Sequence, residues 1–219
     1  MQVKVSDLDV VCVVDPARTR ESEYVGNARF AIGTTGMDVH GNVFALDTWA
    51  IAGPDLANVK REMLRQCQKW HPRTLGIESV ATQTVFADIA FEMLLAGQEL
   101  APITELKPDT REAKKWRIKM QIQRVAPFGR LFFAPWMHEL RTEYIGFPRS
   151  QTIDLMDQLA YAIMLLNPPV DAMDDEVEDD VEAEGWMEKY DIQRLRTRPI
   201  PLIETIDDPE LGVVLHYAR

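Results

Sequence analysis

The run LDVVCVVDP, from Leu8 to Pro16, limits what this chain can fold into more than any other stretch. Valine fills positions 10, 11, 13 and 14, and branching at Cβ favours extended backbone. Apolar residues on both alternating sets leave no face for water, which is the situation of a strand buried in the middle of a sheet. Asp15 then places a carboxylate at the strand end, and Pro16 halts the ladder because it has no N–H to donate.

The segments that follow supply neighbours for such a strand. RFAIGTTGMDVHGNVFALDTWAI reads as two further strands about a turn at His40-Gly41-Asn42, giving a three-strand meander. Apolar residues at 56, 59, 63, 64 and 67 predict an amphipathic helix from Asp55 to Trp70, with Asp55 as its N-cap and Pro72 just beyond its end. TLGIESV predicts a fourth strand, Gln83 to Leu95 a helix, ITELK a strand, and Thr110 to Val125 a helix with a basic start. After Gly129, LFFAP predicts a short strand, Pro135 to Tyr144 a short helix, and SQTIDLMDQLAYAIMLL a closing helix whose apolar stripe packs on the sheet. Three consecutive strands and then helices alternating with strands predict an α/β domain. Its mixed sheet joins an antiparallel meander to parallel strands and is flanked by helices, an order that resembles the ribonuclease H-like fold.

Charge divides the chain. The 219 residues carry a formal −11, but residues 171–184, DAMDDEVEDDVEAE, hold nine acids and no Lys or Arg, which leaves the remainder at −2. Such a run stays solvated, because it buries too little apolar surface to offset chain entropy. The expected organisation is a ribonuclease H-like domain over residues 1–168 and an acidic linker and tail over 169–219, the tail carrying a short helix and a strand. The overall charge argues against a protein that coats nucleic acid generally. No apolar run reaches the ~18 residues of a membrane span, and MQVKVSDLDVVCVVD has no signal-peptide cleavage pattern, so a cytoplasmic location without membrane contact is expected. Cys12 and Cys67 have no metal-ligand spacing and are expected as buried or partly buried thiols.

Carboxylates interrupt the apolar elements at three places: Asp15 at the end of the first strand, Glu78 within TLGIESV, and Asp154 with Asp157 one helical turn apart. Taken singly each has an ordinary reading: a turn residue, a solvent-facing strand end, acids favoured by the dipole at a helix start. Together they form a set of oxygen ligands drawn from separate elements, and a divalent cation relieves the repulsion between them. Two such ions, about 3.5–4 Å apart, are suited to hydrolysing a phosphodiester.

VVDPA, LGIESVATQ, the segment KKWRI followed by GRLFFAP, and FPRSQTIDLMDQLAYAI together resemble the nuclease domain of the large terminase subunit of tailed double-stranded DNA bacteriophages, over about Val10 to Leu166. The resemblance implies a ribonuclease H-like fold and a Mg²⁺- or Mn²⁺-dependent endonuclease that cuts concatemeric double-stranded DNA during genome packaging in the host cytoplasm. It implies that two ions are held by Asp15, Glu78 and the closing helix, with Asp154, Asp157 or both as the last ligand. Lys114, Lys115 and Arg117 in DTREAKKWRIK would face the DNA backbone, and RTRESEYVGN, with Arg18 and Arg20, would form a loop beside the site. The implied partners are a packaging ATPase domain, the portal and the small terminase subunit. The chain departs from a complete large terminase in having no GxxxxGK[ST] phosphate loop. Two alternatives are a RuvC-type Holliday-junction resolvase, which also closes with paired helix aspartates, and a non-catalytic module that docks a basic partner through its acidic tail. No helix-turn-helix or zinc finger offers base readout.

Overall fold

The protein was described from a computed structural model, in which residues 2–16, 29–53, 55–78, 84–107, 114–169, 203–206 and 214–217 are described. The Val-rich run forms β2 (Asp9–Asp15), preceded by a short β1 (Gln2–Lys4). β3 (Phe30–Met37) and β4 (Val43–Ile51) complete the meander, and α1 (Leu56–Trp70) leads to β5 (Thr74–Glu78). Then come α2 (Thr84–Leu95), β6 (Ile103–Leu106), α3 (Lys114–Gln123), β7 (Leu131–Phe133), α4 (His138–Gly146) and α5 (Asp154–Leu165). β8 (Ile203–Ile206) and β9 (Val214–Tyr217) follow.

Six strands make the main sheet, in the order β6-β5-β2-β3-β4-β7. β2, β3 and β4 run antiparallel, whereas β5 is parallel to β2, β6 to β5, and β7 to β4. This is the expected mixed sheet of a ribonuclease H-like fold, with β2 at its centre.

Alternation along β2 separates the two cores. Val11 and Val13 pack beneath α5 and α3, while Cys12 and Val14 pack on the other face with Val59, Met63 and Cys67 of α1. All four β2 residues are fully buried, and burying a valine stabilises by roughly 1.5–3 kcal/mol relative to exposure. The predicted α1 is present: the Asp55 carboxylate accepts from the Asn58 N–H at 2.7 Å, and His71, at φ 46°, ends the helix in the left-handed region.

α5 lies close on the sheet because glycines stand beneath it. A Cβ at Gly33 of β3 would run into the Gln158 carboxamide, and one at Gly76 of β5 would lie 2.8 Å from the Leu165 side chain. Gln158 instead donates from Nε2 to the Gly33 carbonyl at 3.0 Å, and Leu159, Ile163 and Leu166 are buried as the apolar stripe requires.

Two elements differ from expectation. α4 begins at His138, not Pro135, because the Met137 N–H bonds the Ala134 carbonyl at 3.0 Å and closes a turn first. A second sheet, in the order β1-β9-β8, is also present, with Gln2–Lys4 of β1 antiparallel to Val214–His216 of β9. The acidic run 171–184, the loop with Arg18 and Arg20, and the expected starts of the helices at Gln83 and Thr110 lie outside the described residues. Among the described residues no helix is long and apolar enough to cross a membrane.

Candidate metal centre

The pleat decides where the strand carboxylates point. Side chains alternate along a strand, so Asp15 shares the α5 face with Val11 and Val13. On β5, Leu75 and Ile77 belong to the α1 face, which leaves Gly76 and Glu78 toward α5. Val14 is paired with Ile77 in parallel register, and one residue further on Asp15 and Glu78 stand side by side at the carboxyl ends of neighbouring strands. The first turns of α5 pass over that point. Spacings of three and four put Asp154, Asp157 and Tyr161 on one helical face.

The result is a cluster in which ligand oxygens of Asp15, Glu78 and Asp157 all lie within 4.8 Å of one another. Their residues are 4%, 6% and 1% exposed, too little for water to balance three charges. Asp154 stands at the edge of this group. One of its oxygens accepts from the Lys114 ammonium at 2.9 Å and the other from the Arg29 backbone N–H at 3.2 Å.

Lys114 and Arg117 enter from α3 with their heads on carboxylates. The Lys114 ammonium lies 3.0 Å from Asp15 and 3.3 Å from Asp157 as well as against Asp154. Arg117 grips Asp157 with two parallel bonds, Nε to Oδ1 at 2.9 Å and Nη2 to Oδ2 at 2.7 Å. Its guanidinium lies over the Tyr161 ring, 4.2 Å from the centroid, and the Tyr161 hydroxyl donates to Glu78 at 3.1 Å. Lys115 is exposed on the outer side of α3.

Tyr161, Arg29 and Glu143 also belong to the site, outside the set that sequence motifs mark. The signal for Tyr161 was its hydroxyl, four residues after Asp157 in a helix otherwise apolar at that depth. Nothing local marks Glu143, which is buried on α4 and accepts from the Met156 N–H at 3.0 Å, satisfying one of the free donors at the start of α5. Arg29 holds it in place at 2.6 Å and also pairs with Glu139 at 2.6 Å.

The electrostatics follow from burial. Burial pushes the Asp15 carboxyl well above its ordinary range; Lys114 opposes the shift, while the neighbouring carboxylates of Asp157 and Glu78 add to it. Burial likewise raises Asp157, against the pull of Lys114 and Arg117. The Lys114 ammonium is held charged by its three carboxylates despite burial. Asp15, Glu78 and Asp157 thus meet two cationic heads, those of Lys114 and Arg117, while Arg29, paired with Glu139 and Glu143, reaches only Asp154, at 3.9 Å. The excess is negative, every donor is a carboxylate oxygen, and both thiols belong to the opposite core. That set fits hard divalent cations such as Mg²⁺ or Mn²⁺.

No protein-family model and no curated protein matches this chain. Solved structures similar to it include the Fowlpox virus resolvase in complex with Holliday junction DNA, at 15% identity and a TM-score of 0.41 over 72% of this chain and 99% of that one. Thermus thermophilus RuvC, alone and with a Holliday junction substrate, is similar at 14% identity and a TM-score of 0.38 over 70% of this chain and 90% of that one.

Proposed function

We propose that this chain is a divalent-metal-dependent endonuclease acting on double-stranded DNA, the cutting domain of a phage-type packaging terminase. The observation that carries the nuclease reading is the buried cluster of Asp15, Glu78 and Asp157 at the carboxyl ends of adjacent parallel strands, with more negative charge than its own cations neutralise. The terminase assignment rests on the resemblance of VVDPA, LGIESVATQ and FPRSQTIDLMDQLAYAI. Packaging ATPase, portal and small subunit are the partners it implies.

In this reading Asp15, Glu78 and Asp157 hold two Mg²⁺ or Mn²⁺ ions, with Asp154 beside them. When bound, such ions supply charge neutralisation at the phosphodiester and a water nucleophilic at neutral pH. The chain's own groups prepare the place. Arg117 fixes the plane of the Asp157 carboxylate through two bonds, and the Tyr161 hydroxyl orients Glu78. β2 and β5 fix the spacing of Asp15 and Glu78 through their ladder, and Glu143 fixes the start of α5. Lys115, exposed on α3, faces a phosphate backbone and makes affinity fall with salt.

Incubating the protein with supercoiled plasmid, linear duplex and a four-way junction in Mn²⁺ tests this. Wild type is expected to nick and linearise duplex, and Glu78→Gln or Asp157→Asn to lose at least a hundredfold in rate while melting as folded proteins. Cutting retained by both variants would sink the metal-centre reading. Incision confined to the branch point would replace the terminase with a junction resolvase.

A further inference from the structure

Lys114 and Arg117 meet the same acidic cluster in different ways. Arg117 is fixed: its side chain is 8% exposed, doubly bonded to Asp157 and stacked on Tyr161. Lys114 is the first described residue of α3, its side chain is 35% exposed, and its ammonium donates to Asp15 and Asp154 and lies 3.3 Å from Asp157, an ion pair with each of three carboxylates. Two of those, Asp15 and Asp157, belong to the trio whose oxygens converge. A compact ammonium on a flexible stem is the side chain best able to stand where a cation belongs and then leave.

We propose that Lys114 is a tethered counter-cation that shares the Asp15 and Asp157 oxygens with the divalent ions and is exchanged out when they load, its freed ammonium then turning to a DNA phosphate. The proposal rests on the metal-centre reading above. Two properties follow from the exchange. Metal affinity is set below what the carboxylates alone would give, because each loading event breaks the ion pairs of Lys114. Metal and DNA also assist one another, since the phosphate gives the displaced ammonium a partner and coupling between two ligands is reciprocal.

Mn²⁺ affinity, measured by calorimetry at fixed pH on wild type, Lys114→Met, Lys114→Gln and Glu78→Gln, reads the exchange without any turnover. Both Lys114 variants are expected to bind Mn²⁺ about tenfold tighter than wild type, and Glu78→Gln to bind it more weakly. Equal or weaker binding by the Lys114 variants overturns the exchange, and if Glu78→Gln still loses affinity the metal centre stands without it. Absence of Mn²⁺ binding in every protein overturns both. Should the Lys114 variants fold only with metal, a larger Mn²⁺-induced rise in melting temperature than in wild type supports the proposal, and an equal or smaller one overturns it. The salt dependence of duplex binding reads the destination of the ammonium. In EDTA wild type and Lys114→Met should share one slope, whereas in Ca²⁺ wild type should be steeper by about 0.9, the value of one phosphate contact. Identical slopes in Ca²⁺ overturn the phosphate step.

Discussion

Asp15 and Glu78 show how far a residue's position can be read from a sequence. Each ends an apolar strand, and the period-2 rule places each on a face once one neighbour's face is known. Asp154 and Asp157 cannot be separated that way, because one helical turn puts both on the same face. What separates them comes from distant chain: Arg29, 125 residues before Asp154, and Lys114, 40 residues before it, both bond to Asp154, while Arg117 seizes Asp157. Tyr161 is decided at the same scale. Its hydroxyl is the described donor that orients Glu78, and its ring supports the guanidinium that orients Asp157. Removing the hydroxyl while keeping the ring frees Glu78 alone. Tyr161→Phe should therefore lower Mn²⁺ affinity by about 10–100-fold, the usual cost of losing a group that positions a ligand. Calorimetric titration with Mn²⁺ checks it, and an unchanged affinity would make the Tyr161 hydroxyl a passive neighbour.

At the scale of elements, the closing helix delivers Asp157 because the sheet beneath it lacks side chains at two points. The apolar stripe of α5 was legible from its spacing, and so was its place on the sheet. Its depth was not, since Gly33 looks like any other glycine in RFAIGTTGM until Gln158, 125 residues later, settles on its carbonyl. The trans cap from Glu143 was equally hidden, because it links α4 to α5 through a tertiary contact rather than a local motif. The close approach makes a specific demand. Gly33→Ala inserts a methyl group into the Gln158 carboxamide, and overpacking of this kind costs about 1–3 kcal/mol. Gln158→Ala removes the obstacle and the hydrogen bond together. The double variant should therefore be more stable than the sum of the two single losses predicts, a coupling that urea denaturation of the four proteins measures. Strict additivity would mean that α5 does not rest on Gly33.

For the whole molecule, the main sheet was readable because its strands are dense and its helices periodic. The small sheet was not, because a three-residue strand carries little pattern and β1 finds its partner at the other end of the chain. The balance between these parts and the buried acids sets how stability responds to pH. Asp15 and Asp157 have carboxyls raised by burial in the folded state. An unfolded aspartate titrates near 3.9, so their stabilising protonation is fully present below about pH 4. It is lost as pH rises through the raised folded values. The metal-free protein thus carries an increasing charge penalty on going from mildly acidic pH to neutral. A divalent ion bound by the same carboxylates removes that penalty, and because it competes with protons it binds best where they have left. The Mn²⁺-induced rise in melting temperature should accordingly be several degrees larger at pH 7.5 than at pH 5, and Asp157→Asn should flatten the difference. Scanning calorimetry at the two pH values decides this. A rise independent of pH would separate Mn²⁺ stabilisation from the Asp15 and Asp157 carboxyls and place the ion elsewhere on the molecule.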